Sequence, residues 1–390
     1  MHIICRSAWI CILLLQPLYG QLESDAPAYL ELPEYVVKLF DESSYGGRYS
    51  STATRTTVPN DALPLLVNVV SSFLLDEQQA TTPSDAFKNI SSVEAKVATS
   101  GQNNQVSIRG FNSFTFIDGF RVGNSNSNAI GGVSFATEVA NIERIEVLKG
   151  PAATLYGRGL PGGVINYITK KPQATTHTEL STQFGTDSLF RATFDTTGSF
   201  SDSSALQYRL IGRWSDQASY RDQVEQSNVS VYPSVHVQIS KQSSLLVSAE
   251  YQLVDYTPDQ GALFLIDGSE APANSRSFFY GSSDDKIEAE QYGMNAQFES
   301  KVTDDYTFRA SLGYRRAEQA GTATLGNYVT ANTLERVVAT VDETRDDWSF
   351  QVNHLLTKAH TVGNRFELEH QLLLSADWQY VRAAPSSSQA

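Results

Sequence analysis

The stretch YTFRASLGYR, residues 306–315, alternates strictly: Tyr306, Phe308, Ala310, Leu312 and Tyr314 form one series, and Thr307, Arg309, Ser311, Gly313 and Arg315 the other. Successive side chains of a β-strand point to opposite faces, so a period of two gives this strand one apolar and one polar face. The same alternation returns in Leu206, Tyr208, Leu210 and Trp214 against Gln207, Arg209 and Arg213, and in Leu245, Val247, Ala249 and Tyr251 against Ser248, Glu250 and Gln252. It returns again in Leu368, His370, Leu372, Leu374, Ala376, Trp378 and Tyr380 against Glu367, Glu369, Gln371, Ser375, Asp377 and Gln379. Strands of this kind also occur in soluble sandwiches. These run to about ten residues or more, with aromatic residues recurring near their ends, which matches a wall with lipid outside, water inside and aromatic girdles at the interfaces.

Working outward, the pattern predicts nine strands, at about 176–185, 189–200, 204–215, 229–240, 244–256, 287–300, 305–317, 334–357 and 365–382. Short links are expected at Ser201, Lys241, Val302 and Ala359, and longer ones at Asp216, Thr257 and Glu318. Short turns at one end and long loops at the other are the asymmetry of an outer-membrane barrel. Nine strands do not close a barrel of even number, and an open edge in lipid leaves backbone groups unpaired. The expectation is therefore the first part of a longer antiparallel membrane β-barrel.

The first twenty residues place His2 and Arg6 ahead of an apolar run from Ala8 to Leu15, then Pro17 and Gly20. This is the layout of a cleaved signal peptide, and the apolar run is too short to span a bilayer. Both cysteines, Cys5 and Cys11, fall in this leader, so the mature chain carries neither a disulfide framework nor a thiolate metal site. With 29 basic against 43 acidic residues and a net charge of −14, nucleic acid is excluded as a partner. Residues 21–49 read as an extended arm, and residues 50–172 as a compact mixed α/β domain ahead of the strands of 173–390. Within the mixed domain Ser84 is placed to cap a helix at Asp85-Ala86-Phe87-Lys88, and Val106 to Arg109 alternates as a strand. The Asp118-Gly119 pair signals a tight hairpin. It leads into a polar, glycine-rich loop, residues 123–132.

The stretch GPAATLYGRGLPGG, residues 150–163, tests whether this domain binds a phosphate. The P-loop lysine and hydroxyl are missing after Gly157. Gly157, Gly159 and Gly162 satisfy the dinucleotide spacing, but a strand follows where a helix must open, so the glycines read as turn formers. The six histidines are scattered without ligand spacing or a neighbouring nucleophile motif, so neither an enzyme nor a cofactor is expected.

Taken in order, Val106-Ser107-Ile108-Arg109-Gly110-Phe111, Ile117-Asp118-Gly119, Ile142-Glu143-Arg144-Ile145-Glu146-Val147-Leu148-Lys149-Gly150-Pro151, Leu155-Tyr156-Gly157 and Pro161-Gly162-Gly163-Val164-Ile165-Asn166 resemble the plug domain of TonB-dependent outer-membrane receptors. The strands after Pro172 look like the beginning of that family's barrel of about 22 strands. Thr52-Ala53-Thr54-Arg55-Thr56-Thr57-Val58-Pro59, Leu75-Asp76-Glu77-Gln78-Gln79-Ala80 and Glu369-His370-Gln371-Leu372-Leu373-Leu374 are most similar to the ferric siderophore receptors. Ser91 and Ser92 stand where those receptors usually carry glycine.

The resemblance implies a bacterial outer-membrane receptor, embedded in outer-membrane lipid, for active uptake of a ferric siderophore. It implies a plug filling the lumen, and a partner, TonB with its inner-membrane energising complex, recruited through the arm. Glu31-Leu32-Pro33-Glu34-Tyr35-Val36-Val37 resembles the family's coupling box, where an extended strand can add to a partner's sheet edge. Arg109 and Lys149 resemble the basic plug residues that meet acidic groups of the barrel wall. Phe111, Phe114, Asn124 and Asn126 are the expected ligand contacts at the plug apex. Iron would be held by the siderophore's own hard oxygens, so no protein metal site is implied. The arm is too short for an added signalling domain. A receptor for cobalamin or an oligosaccharide stays open as an alternative, and so does a passive porin or adhesin.

Overall fold

The computed structural model describes residues 47–384 apart from 81, 98–103, 123–137, 151–152, 157–160, 202–203, 260, 262–275, 331–332 and 363–365. The leader, the coupling segment at 31–37, Asn124, Asn126, Gly157 and Gly159 lie outside the described residues.

Among the described residues the mixed domain builds three small sheets. β1 (Tyr49–Ser50) pairs antiparallel with β2 (Val58–Pro59). β3 (Leu66–Ser71) runs straight into α1 (Ser72–Glu77), whose start is capped by the Ser71 hydroxyl accepting from the Leu74 N–H at 3.4 Å. α2 (Pro83–Ala86) begins at a proline, which has no N–H to leave unpaired in a first turn, so the expected cap Ser84 lies inside the helix. β4 (Val93–Val97), β5 (Asn104–Ile108) and β6 (Phe111–Asn112) form one sheet. Arg109 falls just beyond β5 at φ 54°, in a turn and not on the strand expected for it.

β7 (Phe114–Ile117), β8 (Phe120–Val122), β9 (Ile142–Lys149) and β10 (Gly163–Thr169) join β3 in a five-stranded sheet of order β3-β9-β10-β7-β8, parallel only between β10 and β7. Asp118 and Gly119 both take positive φ, 50° and 82°, the backbone a two-residue hairpin turn requires. Between β9 and β10 sits a one-turn helix, α3 (Ala153–Tyr156). Central position explains the apolar run of β9. Ile145 and Val147 pack with Leu75, Ile108, Ile117, Val122 and Ile165, while Leu148 packs on the other face with Ala53, Phe116 and Val164. Each such side chain fully buried contributes about 1.5–3 kcal/mol. Two glycines of the 150–163 stretch are steric necessities: a Cβ on Gly163 (φ 134°) would stand 2.1 Å from the Leu148 carbonyl oxygen, and one on Gly162 would stand 2.8 Å from that of Phe111.

From His177 onward the chain is one antiparallel meander of nine strands in sequence order. They are β11 (His177–Phe184), β12 (Phe190–Ser199), β13 (Leu206–Ala218), β14 (Glu225–Gln238), β15 (Ser243–Tyr256), β16 (Lys286–Thr303), β17 (Tyr306–Thr330), β18 (Thr333–Val362) and β19 (Phe366–Ala384). Leu210, Trp214, Met294, Leu312, Phe350, Leu374 and Trp378 are exposed, whereas Arg209, Arg213, Asn228, Gln252, Asn295, Arg315 and Asp347 are buried. This inverts a soluble protein. The apolar face awaits lipid, and the polar face is covered by the mixed domain.

Two expected links are corrected. The link at Asp216 shortens because β13 and β14 continue in register to Ala218 and Glu225. The long loop expected at Glu318 is strand: β17 and β18 pair as far as Thr330 and Thr333, and main-chain pairing carries residues whose side chains show no polar contrast. Among the described strands the widest separation in sequence lies between the end of β15 at Tyr256 and the start of β16 at Lys286.

Candidate functional site

The mixed domain meets the wall through charged groups. Glu138, just ahead of β9, receives the Arg213 guanidinium from β13, the Asn228 amide from β14, and the Gln252 amide from β15 at 3.3 Å. One carboxylate thus spans three neighbouring strands. Burial outweighs the pull of Arg213, Arg191 and the Asn228 amide, and holds the Glu138 carboxyl above the usual range.

At the far side of the wall Arg55 forks onto Asp377 of β19, at 2.7 and 3.0 Å, and also donates to Ser375 and, at 2.6 Å, to the Leu155 carbonyl. Planar guanidinium and carboxylate fit bidentately, which fixes orientation as well as distance. Lys170 at the end of β10 bonds Asp195 of β12 at 3.2 Å, and Arg209 of β13 grips the same carboxylate at 2.9 and 2.7 Å. Gln379 of β19 donates to the Arg121 carbonyl of β8 at 2.9 Å, and Arg121 lies over the Phe114 ring at 3.6 Å. Arg121 is therefore tied to β19, and Glu138 to β13–β15. A polar cavity of about 30 Å³ lies along the seam, lined by Asp118 and Lys170 on one side and Glu250 and Arg315 on the other. It is sized for water, not for an organic chelate.

This seat of a small mixed domain on the polar face of a membrane sheet has a match among known proteins. Residues 59–164 fit the family model of the TonB-dependent receptor plug domain. Those residues are a TonB-dependent receptor plug domain. It is 29% identical over 370 residues to the metal-pseudopaline receptor CntO of Pseudomonas aeruginosa, covering 92% of this chain and 50% of that one. It is 27% identical to the ferrioxamine receptor of Yersinia enterocolitica, covering 97% and 53%. The crystal structure of the closed form of the ferric-catecholate import receptor Fiu of Escherichia coli superimposes with a TM-score of 0.73 at 24% identity, covering 87% of this chain and 50% of that one. That of the ferripyoverdine receptor of the Pseudomonas aeruginosa outer membrane superimposes with a TM-score of 0.77 at 22% identity, covering 88% and 46%. The chain thus spans about half the length of the relatives it matches. The bacterial outer membrane is its location, the nine strands are barrel wall, and the relatives named are receptors.

Within the plug the two basic residues singled out in the sequence are neighbours. Lys149 is buried and donates to the Ser91 carbonyl at 2.7 Å; burial, and then the positive Arg109, hold its ammonium below the usual lysine range. Arg109 is exposed. Among the described residues neither makes an ion pair with the wall. Phe111 is 54% exposed and Phe114 half-buried under Arg121. Glu138 and Asp377, which do join plug and wall, went unread in the sequence. Glu138 is a lone acid in the sequence VSFATEVAN, and Asp377 is one polar residue in an alternating series, so neither carries a local signal.

Proposed function

We propose that this receptor takes up a ferric siderophore across the outer membrane, energised by TonB through residues 31–37. The carrying observation is the plug held by ion pairs against the polar face of the wall, an arrangement suited to a channel that is closed until work is done on it. Residues 1–20 act as the signal peptide, 21–49 as the coupling arm, 50–172 as the plug and 173–390 as wall. Arg109 and Lys149, side by side, are assigned to acidic groups of wall outside the nine strands. Phe111, Phe114, Asn124 and Asn126 are assigned to the ligand. Relatives named for catecholate siderophores and ferrioxamine support the substrate class.

A relative named for metal-pseudopaline favours a second reading, a chelate of another metal. Growth of cells that depend on this receptor, starved of iron in one arm and of another transition metal such as zinc or nickel in a second, separates them. Rescue by defined ferric siderophores, lost on deleting residues 31–37, is the expected result. Rescue confined to chelates of other metals selects the second reading, and no rescue by any metal chelate overturns both.

A further inference from the structure

Four motif segments of the sequence meet at one residue. Thr52, which is 1% exposed, donates its N–H to Glu146 Oε2 at 2.8 Å and its hydroxyl to the same oxygen at 2.5 Å. The Ser51 N–H reaches that oxygen at 3.0 Å. The Asn166 amide donates to Thr52 Oγ1 at 3.0 Å, and the Tyr156 hydroxyl donates to the Thr52 carbonyl at 2.8 Å. Thr52 belongs to the TATR segment, Glu146 to IERIEV, Tyr156 to LYG and Asn166 to PGGVIN.

Glu146 is wholly buried in the middle of β9, and a carboxylate there is costly unless donors fill its oxygens. Arg144 fills one at 2.7 Å; the donors to the other belong to the segment by which the arm enters the plug. Ahead of Ser51 the described chain is held by the two-residue ladder of Tyr49 and Ser50 with Pro59 and Val58, and by Asn60, whose N–H donates to the Arg48 carbonyl and whose amide donates to the Gly47 carbonyl, each at 2.8 Å. Just behind, Arg55 is tied to the wall at Asp377 and lies 5.3 Å from the Tyr156 ring centroid. Tension arriving along the arm therefore passes this short ladder and the Asn60 bonds, and then meets three charge-assisted bonds that Ser51 and Thr52 make to Glu146.

We propose that Glu146, Tyr156 and Asn166 clamp Thr52 as the release point of the plug: tension on the arm is resisted there, and the plug opens from there. The role as release point rests on the energised-uptake reading above. Glu146 is a positioning residue that holds main chain in place and touches no substrate.

Single-molecule pulling tests the clamp, with a handle fixed ahead of residue 47 on the full-length receptor in lipid. Glu146→Gln, which keeps shape and removes charge, should release roughly ten- to a hundredfold faster at fixed load. Tyr156→Phe, which keeps the ring and removes one bond, should release up to about tenfold faster. Release rates equal to wild type in both variants overturn the clamp. In cells, a Thr52→Cys/Asn166→Cys pair should, when oxidised, bind ligand and lose uptake, with uptake restored by reductant. Undiminished uptake by the oxidised protein overturns its role as release point. If deleting residues 31–37 leaves uptake intact while the variants release faster, the energised reading fails and the clamp stands.

Discussion

Glu138 stands where burial and ion pairing oppose each other. Removing it by Glu138→Ala leaves Arg213 buried without its carboxylate, at a cost of about 3–5 kcal/mol to plug seating. Protease accessibility of the plug in outer-membrane vesicles reads this loss. The pH dependence has a definite sign. An acid whose pKa is higher in the seated plug than in solvent binds protons on seating, so its contribution is largest below about pH 4.3 and falls as pH rises through the raised value. Glu138→Gln should flatten that slope, and an unchanged slope would assign it to another group. At Gly163 the constraint is steric. Alanine there would drive a Cβ into the Leu148 carbonyl at a backbone angle that L residues rarely adopt, so Gly163→Ala is expected to cost about 3 kcal/mol or more, measured as a lower denaturant midpoint of the plug.

At the scale of elements, the strands were legible because water and lipid on opposite faces impose a period of two, and each of the nine appears near its expected place. The face assignment is testable. Leu312→Arg puts a charge on the lipid face of β17 and should cost about 2–4 kcal/mol of barrel folding in a bilayer if it lies near the midplane. Equal stability of variant and wild type would place that face away from lipid. What was not legible is the far part of the β17–β18 hairpin. Residues 318–333, EQAGTATLGNYVTANT, offer small and polar side chains with little contrast between faces. There the partner strand, through backbone hydrogen bonds, determines the conformation. Likewise the Asp-Gly hairpin was readable from two residues, whereas Arg109 left its strand because the turn into β6 forces a positive φ.

For the whole molecule, the seat of the plug predicts a closed lumen. Full-length protein should be silent in a planar bilayer, and deletion of residues 50–172, which uncovers Arg209, Arg213, Asn295 and Arg315, should give ion conductance. Conductance of the intact protein without ligand would count for the porin reading. The sequence by itself determined the architecture: alternation marks the wall, glycine and Asp-Gly chemistry mark the plug turns, and ordered motifs mark the family. These are local properties, set by backbone sterics and by which solvent each face meets. Tertiary structure alone decided how plug and wall are joined and how the plug is tied within itself. Glu138 finds Arg213 across 75 positions, Arg55 finds Asp377 across 322, and Thr52 finds Asn166 across 114. An ion pair or hydrogen bond between residues so far apart leaves no periodicity in either neighbourhood, because its energy depends on a distance that only the folded chain creates.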